Sequence, residues 1–296
     1  MEPWIISMVI AGALVGLVSS YFGVGACFIM VPVMIYCFET FFATPPSLAP
    51  LIAFGTNMAV VVPTALSGLL RHKRELASRG VRFPLAHYAS FALPAGLGSV
   101  LGALSAYTLF VAFRAAMGLA MKTAFGIACL VGAYRFVKAR PIPVHEIPEL
   151  SIAKFACAGL ASGFAAHIIG IGGGLIYVPV LNALLLVPIH IAIPLSLATM
   201  VIGSSVGSIC FSLLGSLDQA LHPEDYPPLS FGWFNAFAFL TIGIASIVTA
   251  QIGPIIAHKT PPRRLKLLLA LLYTYIGIRL VVRGICQLMG IPPIIP

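Results

Sequence analysis

Long apolar runs recur from one end of this chain to the other, and two of them, 4–38 and 152–188, are too long to cross a membrane once. At about 1.5 Å per residue, a helix of that length reaches roughly 50 Å, against a hydrocarbon core of about 30 Å. The remaining runs, 47–70, 83–107, 117–136, 191–215, 230–256 and 265–286, have the length of single crossings. A soluble protein would alternate such runs with charged helix faces. Here only 8% of residues are charged and 60% are hydrophobic, where a soluble domain carries about 25% charge. The fold class is therefore an all-α polytopic membrane protein, with the lipid bilayer as its solvent. The N-terminus lacks the basic residues of a cleaved signal, so the first run reads as mature structure.

The net charge of +9 does not point to nucleic acid, because the Lys and Arg residues cluster in short connections between apolar runs, where they set orientation. The six cysteines form no Cys-x-x-Cys pair, which argues against a zinc site or a disulfide framework. No sequence motif calls for a cofactor.

Each overlong run carries a glycine cluster: Gly23, Val24 and Gly25 in the first, and Gly170, Ile171, Gly172, Gly173 and Gly174 in the second. Glycine is a poor helix former, so each run is expected to be two pieces turning at the glycines. The two runs also copy each other. At the 147-residue spacing that separates Gly23 from Gly170, Val31, Pro32 and Val33 fall on Val178, Pro179 and Val180, and Gly12 and Gly16 fall on Gly159 and Gly163. The chain thus reads as a duplication, with a first transmembrane repeat over 1–140, a linker over 141–150 and a second repeat over 151–296. If each overlong run enters and returns as a re-entrant or hairpin segment followed by three transmembrane helices, the basic connections at 71–82, 138–154 and 259–266 share one side. This favours two inverted repeats, an arrangement that places a site at the midplane between broken helices.

After each glycine turn a helix begins. Its first N–H groups lack intrahelical partners and carry the positive end of the helix dipole. Glycine lets an anion approach such donors closely. The candidate substrate-binding residues are therefore Gly23, Val24, Gly25, Ala26 and Cys27 in the first turn, and Gly170, Ile171, Gly172, Gly173 and Gly174 in the second. Thr56 and its duplicate Thr199 offer hydroxyls that donate to oxyanions or bond between helices. Asn57 is costly to bury without a partner, and His167 is an ionisable group deep in an apolar run. Ser204, Ser208 and Ser212 repeat every four residues, a spacing that reads first as interhelical hydrogen bonding. All eight acidic residues lie at termini, segment ends or loops, so a proton relay on buried carboxylates is excluded. Coupling to a proton or a sodium ion would have to use His167, the substrate's own proton or backbone carbonyls.

The run from Gly170 through Leu175, Ile176, Tyr177 and Val178 to Pro179 resembles the glycine-triplet and Val-Pro motif of the TauE/SafE sulfite exporter family. Gly55, Thr56 and Asn57, through Pro63, Thr64, Ala65, Leu66, Ser67 and Gly68 to His72, are similar to its second segment, and the resemblance covers nearly the whole chain. In the first copy Ala26 and Cys27 replace the last two glycines, so the two turns are not equivalent. The resemblance implies a multi-pass protein of a prokaryotic plasma membrane that moves a small sulfur-containing anion, sulfite or an organosulfonate. A secondary transporter working by alternating access and an anion channel of the same architecture both fit. A membrane enzyme would need a nucleophile–base set or metal ligands inside the spans, and neither is found.

Overall fold

The computed structural model describes residues 3–25, 27–138 and 151–289, together with 142, 143, 146 and 149. Most of the expected linker therefore lies outside the described residues. Both overlong runs break at their glycines. Helix α1 (Pro3–Phe22) is followed by α2 (Cys27–Phe41), and α5 (Ile152–Ile168) by α6 (Gly174–Pro179). The first pair is a hairpin: Trp4 packs on Phe42 at 5.0 Å between ring centroids, and Ser7 Oγ lies 3.6 Å from Cys37 Sγ. In the second copy Pro179 lacks the N–H that would bond the carbonyl four residues back. Tyr273 supplies a donor instead, its hydroxyl donating to Leu175 O at 2.7 Å. The helix then widens into a π-helical stretch, Val180–Leu184.

Helix α3 (Ala49–Ala77) carries the basic stretch around Arg71 as its last turns rather than as a loop. Helix α4 (Leu85–Lys138) joins the two segments expected over 83–107 and 117–136 into one. The second copy explains why. There α7 (Ile189–Leu221) leads to a short hairpin, β1 (Ser230–Phe231) and β2 (Phe234–Asn235), then to α8 (Ala236–Thr249), α9 (Ile252–Lys259) and α10 (Pro262–Leu288). The break before α10 falls at Pro261 and Pro262. At the 147-residue spacing the first copy has Arg114 and Ala115 there, and nothing stops the helix.

Among the described residues six helices are long and apolar enough to cross a membrane, and polarity runs inside out. Leu93, Leu97, Leu101 and Leu104 of α4 are exposed, as are Leu213, Leu217 and Leu221 of α7, whereas Ser19, Ser20, Asn57, His72, Ser99 and Ser204 are fully buried. Exposed apolar ridges over a core holding hydroxyls and amides suit lipid on the outside. This is a multi-pass membrane protein.

The packing crosses between the copies. A methyl group on Gly12 would lie 3.0 Å from Ile242 Cα of α8, and one on Gly163 would meet Ala95 Cα of α4 at 2.8 Å. So α1 lies on α8, and its duplicate α5 lies on the first part of α4. Helices α3 and α7 pack against each other and run antiparallel: Gly55 faces Phe211, while Gly68 faces Leu197. The end of α4 and α10 do the same, with Gly126 facing Val281 and Gly132 facing Tyr273.

Candidate functional site

The two glycine turns meet each other where α3 and α7 cross. Gly23 and Gly25 in the first turn have φ of 72° and 74°, and their duplicates Gly170 and Gly172 have 76° and 74°. A side chain is strained in that left-handed region, which is why both copies carry glycine there. A Cβ on Gly174 would sit 2.6 Å from Val24 Cα, and one on Gly25 would lie 4.0 Å from Ile171 O. Val61 of α3 touches both turns, at 3.7 Å from the Cβ positions of Gly25 and of Gly172. Hydroxyls of α7 hold the turns in shape. Ser196 Oγ donates to Gly23 O at 2.8 Å, and Ser204 Oγ donates to Gly172 O at 3.1 Å.

With the carbonyls tied back, N–H groups are left over. In the second turn Ile171 N bonds Ala166 O, but Gly172, Gly173, Gly174 and Leu175 donate to no backbone carbonyl among the described bonds. In the first turn Gly23 N bonds Ser19 O, and Val24 and Gly25 donate to none. Ala26 lies outside the described residues. Cys27 is buried at the first helix start, at the position where the second helix start has Gly174.

Asn57 stands beside the second turn. Its side chain is fully buried, and neither its amide nitrogen nor its oxygen has a hydrogen-bond partner; the nitrogen lies 3.8 Å from a Cβ position on Gly172. A buried amide without partners costs on the order of 1–3 kcal/mol. His167, at the end of α5, bonds Gly163 O through Nδ1 at 3.0 Å, while Nε2 has no partner. A carbonyl only accepts, so the neutral ring carries its proton on Nδ1 and keeps a lone pair on Nε2. Tyr177 Oη is likewise buried without a hydrogen bond. His167 and Tyr177 come together over Gly203, whose Cβ position is 3.0 Å from Tyr177 Oη and 3.2 Å from His167 Cε1. The same side of α7 continues to Gly207, where a Cβ would lie 3.0 Å from His167 Nε2 and 2.5 Å from Met58 Sδ.

The two threonines are otherwise engaged. Thr56 Oγ1 accepts the Asn235 N–H at 2.9 Å, and Thr199 Oγ1 donates to Leu195 O of its own helix at 2.8 Å. Gly173, with φ of 97°, faces the Tyr177 ring, which occupies the space that a side chain there would take. Ser196 and Tyr177 were not legible as site residues. Ser196 sits in α7 after Pro194 in a run that reads as packing, and nothing in its spacing ties it to Gly23, which is 173 residues away. Among the described residues, no cluster of His, Cys, Asp or Glu is arranged to hold a metal ion.

The sulfite exporter TauE/SafE family matches residues 8–280 of the chain. A probable membrane transporter protein of Methanocaldococcus jannaschii is 23% identical over 271 residues, which is 92% of this chain and 93% of the relative. A probable membrane transporter protein of Bacillus subtilis is 23% identical, covering 94% and 97%. Another, from Haemophilus influenzae, is 26% identical, covering 95% and 99%. No solved structure matches the chain.

Proposed function

Because this chain belongs to the sulfite exporter TauE/SafE family, and is thereby a membrane transporter, we propose that it carries a small sulfur-containing oxyanion, sulfite or an organosulfonate, by alternating access in a prokaryotic plasma membrane. The observation that carries the reading is Asn57: a fully buried amide without a partner, set against a glycine turn that offers unpaired N–H groups. Fixed dipoles of this kind attract a small anion without a charged side chain. The second turn is the better cradle, since it has Gly172, Gly173 and Gly174 in a row where the first has Gly25, Ala26 and Cys27, and Asn57 stands beside it. The His167 lone pair suits a protonated oxyanion such as hydrogen sulfite, whose O–H donates to Nε2. The Tyr177 hydroxyl turns to donate to another oxygen.

Alternating access needs two gates around one site. We read the chain as two inverted repeats. The support is that duplicated helices, α3 with α7 and the end of α4 with α10, pack antiparallel, and that α1 and α5 exchange partners between copies. An anion channel has the same architecture, and counterflow separates the two.

The test is Asn57→Leu. Leucine removes both unpaired polar atoms at similar volume, so thermal stability in detergent should hold or rise. Sulfite uptake into proteoliposomes at matched protein level should fall by at least about tenfold, the loss expected from one hydrogen bond to a charged group. Undiminished uptake by this variant removes Asn57 and its turn from the pathway. Uptake that saturates and is accelerated by internal sulfite identifies a carrier; uptake without counterflow identifies a channel.

A further inference from the structure

At the end of the molecule where α1 stops, three histidines far apart in sequence converge: His72 of α3, His190 of α7 and His258 of α9. His72 is fully buried and His258 nearly so. His72 Nε2 lies 2.8 Å from Ser20 O, and His72 Nδ1 lies 3.0 Å from His258 Nε2. The His190 ring stacks on that of His258 with centroids 5.4 Å apart.

The bond directions follow from Ser20. A carbonyl oxygen only accepts, so His72 carries a proton on Nε2. When the ring is neutral, its Nδ1 is a lone pair, and His258 must donate from Nε2. The His258 Nδ1 lone pair is then free. So is the Nδ1 of His190, which is buried and has no hydrogen-bond partner. His72 and His258 thus form a directed pair with His190 stacked on it, and two basic nitrogens, His258 Nδ1 and His190 Nδ1, are unused. Among the described residues no carboxylate is hydrogen-bonded to any of the rings. The charged group facing them is Arg79, exposed in the loop after α3, whose Nη2 donates to His258 O at 2.6 Å. Tyr21 of α1 joins the shell through Thr260, hydroxyl to hydroxyl at 3.2 Å. On α3 itself, Arg71 and Glu75 pair with each other at 2.9 Å.

The cluster is tied to the first glycine turn from both sides. The Ser20 carbonyl that His72 holds belongs to the last turn of α1, just before Gly23. One turn after His190, Ile193 packs on Gly23 at 3.2 Å from its Cβ position, and Ser196 bonds Gly23 O. A change in the state of the rings is therefore a change at the end of α1.

We propose that the histidine trio is the binding site for a coupling proton. This rests on the transporter reading above and names the second ion that the transporter moves or responds to. A hydronium ion gives its proton to His258 Nδ1 or His190 Nδ1, forming an N–H bond and leaving water. The new imidazolium stands beside the Arg79 guanidinium, which holds the His258 carbonyl. Like charges in so small a space oppose the contact between α9 and the end of α3, and the loaded trio separates from Arg79. In the arrangement seen here Arg79 closes on the trio through the His258 carbonyl. Protonation favours the arrangement in which α1, α3 and α9 come apart at this end.

The experiment follows the rings themselves. The full chain, labelled with 15N-histidine and held in nanodiscs, is titrated from pH 8 to pH 4 by NMR. His72 should be the Nε2–H tautomer at pH 8, and the trio should take up one proton on acidification. Removing the opposing charge with Arg79→Gln should move the midpoint up by roughly one unit. Rings that stay neutral throughout in both proteins, or a zinc ion retained by the three rings in elemental analysis, overturn the proposal. In proteoliposomes, sulfite uptake should rise by up to about tenfold per unit of lowered external pH while the trio is mostly unprotonated. His258→Gln, whose amide can still donate to His72, should abolish that dependence. Uptake independent of pH in the unaltered protein overturns coupling and leaves the anion site standing. If vesicles take up no sulfite at all, the transport reading falls, and the ring titration alone decides the proton site.

Discussion

At the scale of single residues, a side chain's existing partner separates structural groups from binding groups. Thr56 and Asn57 are neighbours on α3 and both fully buried, yet Thr56 accepts the Asn235 N–H whereas Asn57 has no partner. Thr56→Val should therefore cost stability, about 1–3 kcal/mol, because it leaves a buried N–H without an acceptor. Thr199→Val should cost under about 1 kcal/mol, since its hydroxyl serves only a carbonyl already within its own helix. Thermal denaturation in one detergent checks both, and equal losses would contradict the bonding described. Gly173 teaches the same lesson. From spacing it is an open place for an anion, but a valine there would run into the Tyr177 ring and adopt a strained φ. A loss of transport in Gly173→Val thus mixes packing with binding, and Asn57→Leu is the cleaner variant.

At the scale of elements, proline and glycine decide where helices stop, and the decision is local. Both glycine breaks fall where the overlong runs require them, between Phe22 and Cys27 and between Ile168 and Gly174. The expectation of a break near 107–117 is corrected: with no glycine or proline at that register, α4 continues where the second copy stops at Pro261. What proline takes away must be replaced. Tyr273, from α10, donates to the Leu175 carbonyl opposite Pro179 and so holds the helix of the second turn from outside. Tyr273→Phe should lower stability by about 1–3 kcal/mol through the orphaned carbonyl. It should also loosen the helix after Gly174, read as faster hydrogen exchange over 174–184. Unchanged exchange there would mean that the tyrosine is packing alone.

At the scale of the whole molecule, the two halves that match at the 147-residue spacing exchange packing partners. Each copy's first helix lies on the other copy's third segment through the same glycines, Gly12 and Gly16 in one and Gly159 and Gly163 in the other. Small residues matter here because lipid offers apolar helices no reason to associate, so close backbone approach does. The contact of Arg79 with His258 joins the connection after α3 to the end of α9. Single cysteines at Lys73 and Lys259 should therefore react with a membrane-impermeant maleimide from the same side of the membrane. Labelling from opposite sides would defeat the inverted arrangement.

Some of this protein was determined by composition and local spacing alone. Apolar runs without charge admit only a membrane solvent, because backbone groups in lipid must bond within the segment. The runs 4–38 and 152–188 exceed the bilayer, and their glycines mark where each breaks. Those are statements about a few consecutive residues, and the duplicated turns, Asn57 and His167 were legible through them. The partners were not. Ser196 and Gly23 are 173 residues apart, and His72 and His258 are 186 apart. Which hydroxyls are spent on carbonyls, and which nitrogens keep a lone pair, depends on helices meeting from opposite ends of the chain. His72 reads in sequence as one member of a basic stretch, Arg71, Lys73 and Arg74 around it. Only the packing of α1, α7 and α9 around that turn of α3 draws it inside, because a neutral imidazole can meet a helix-end carbonyl where an ammonium or guanidinium would bring an uncompensated charge.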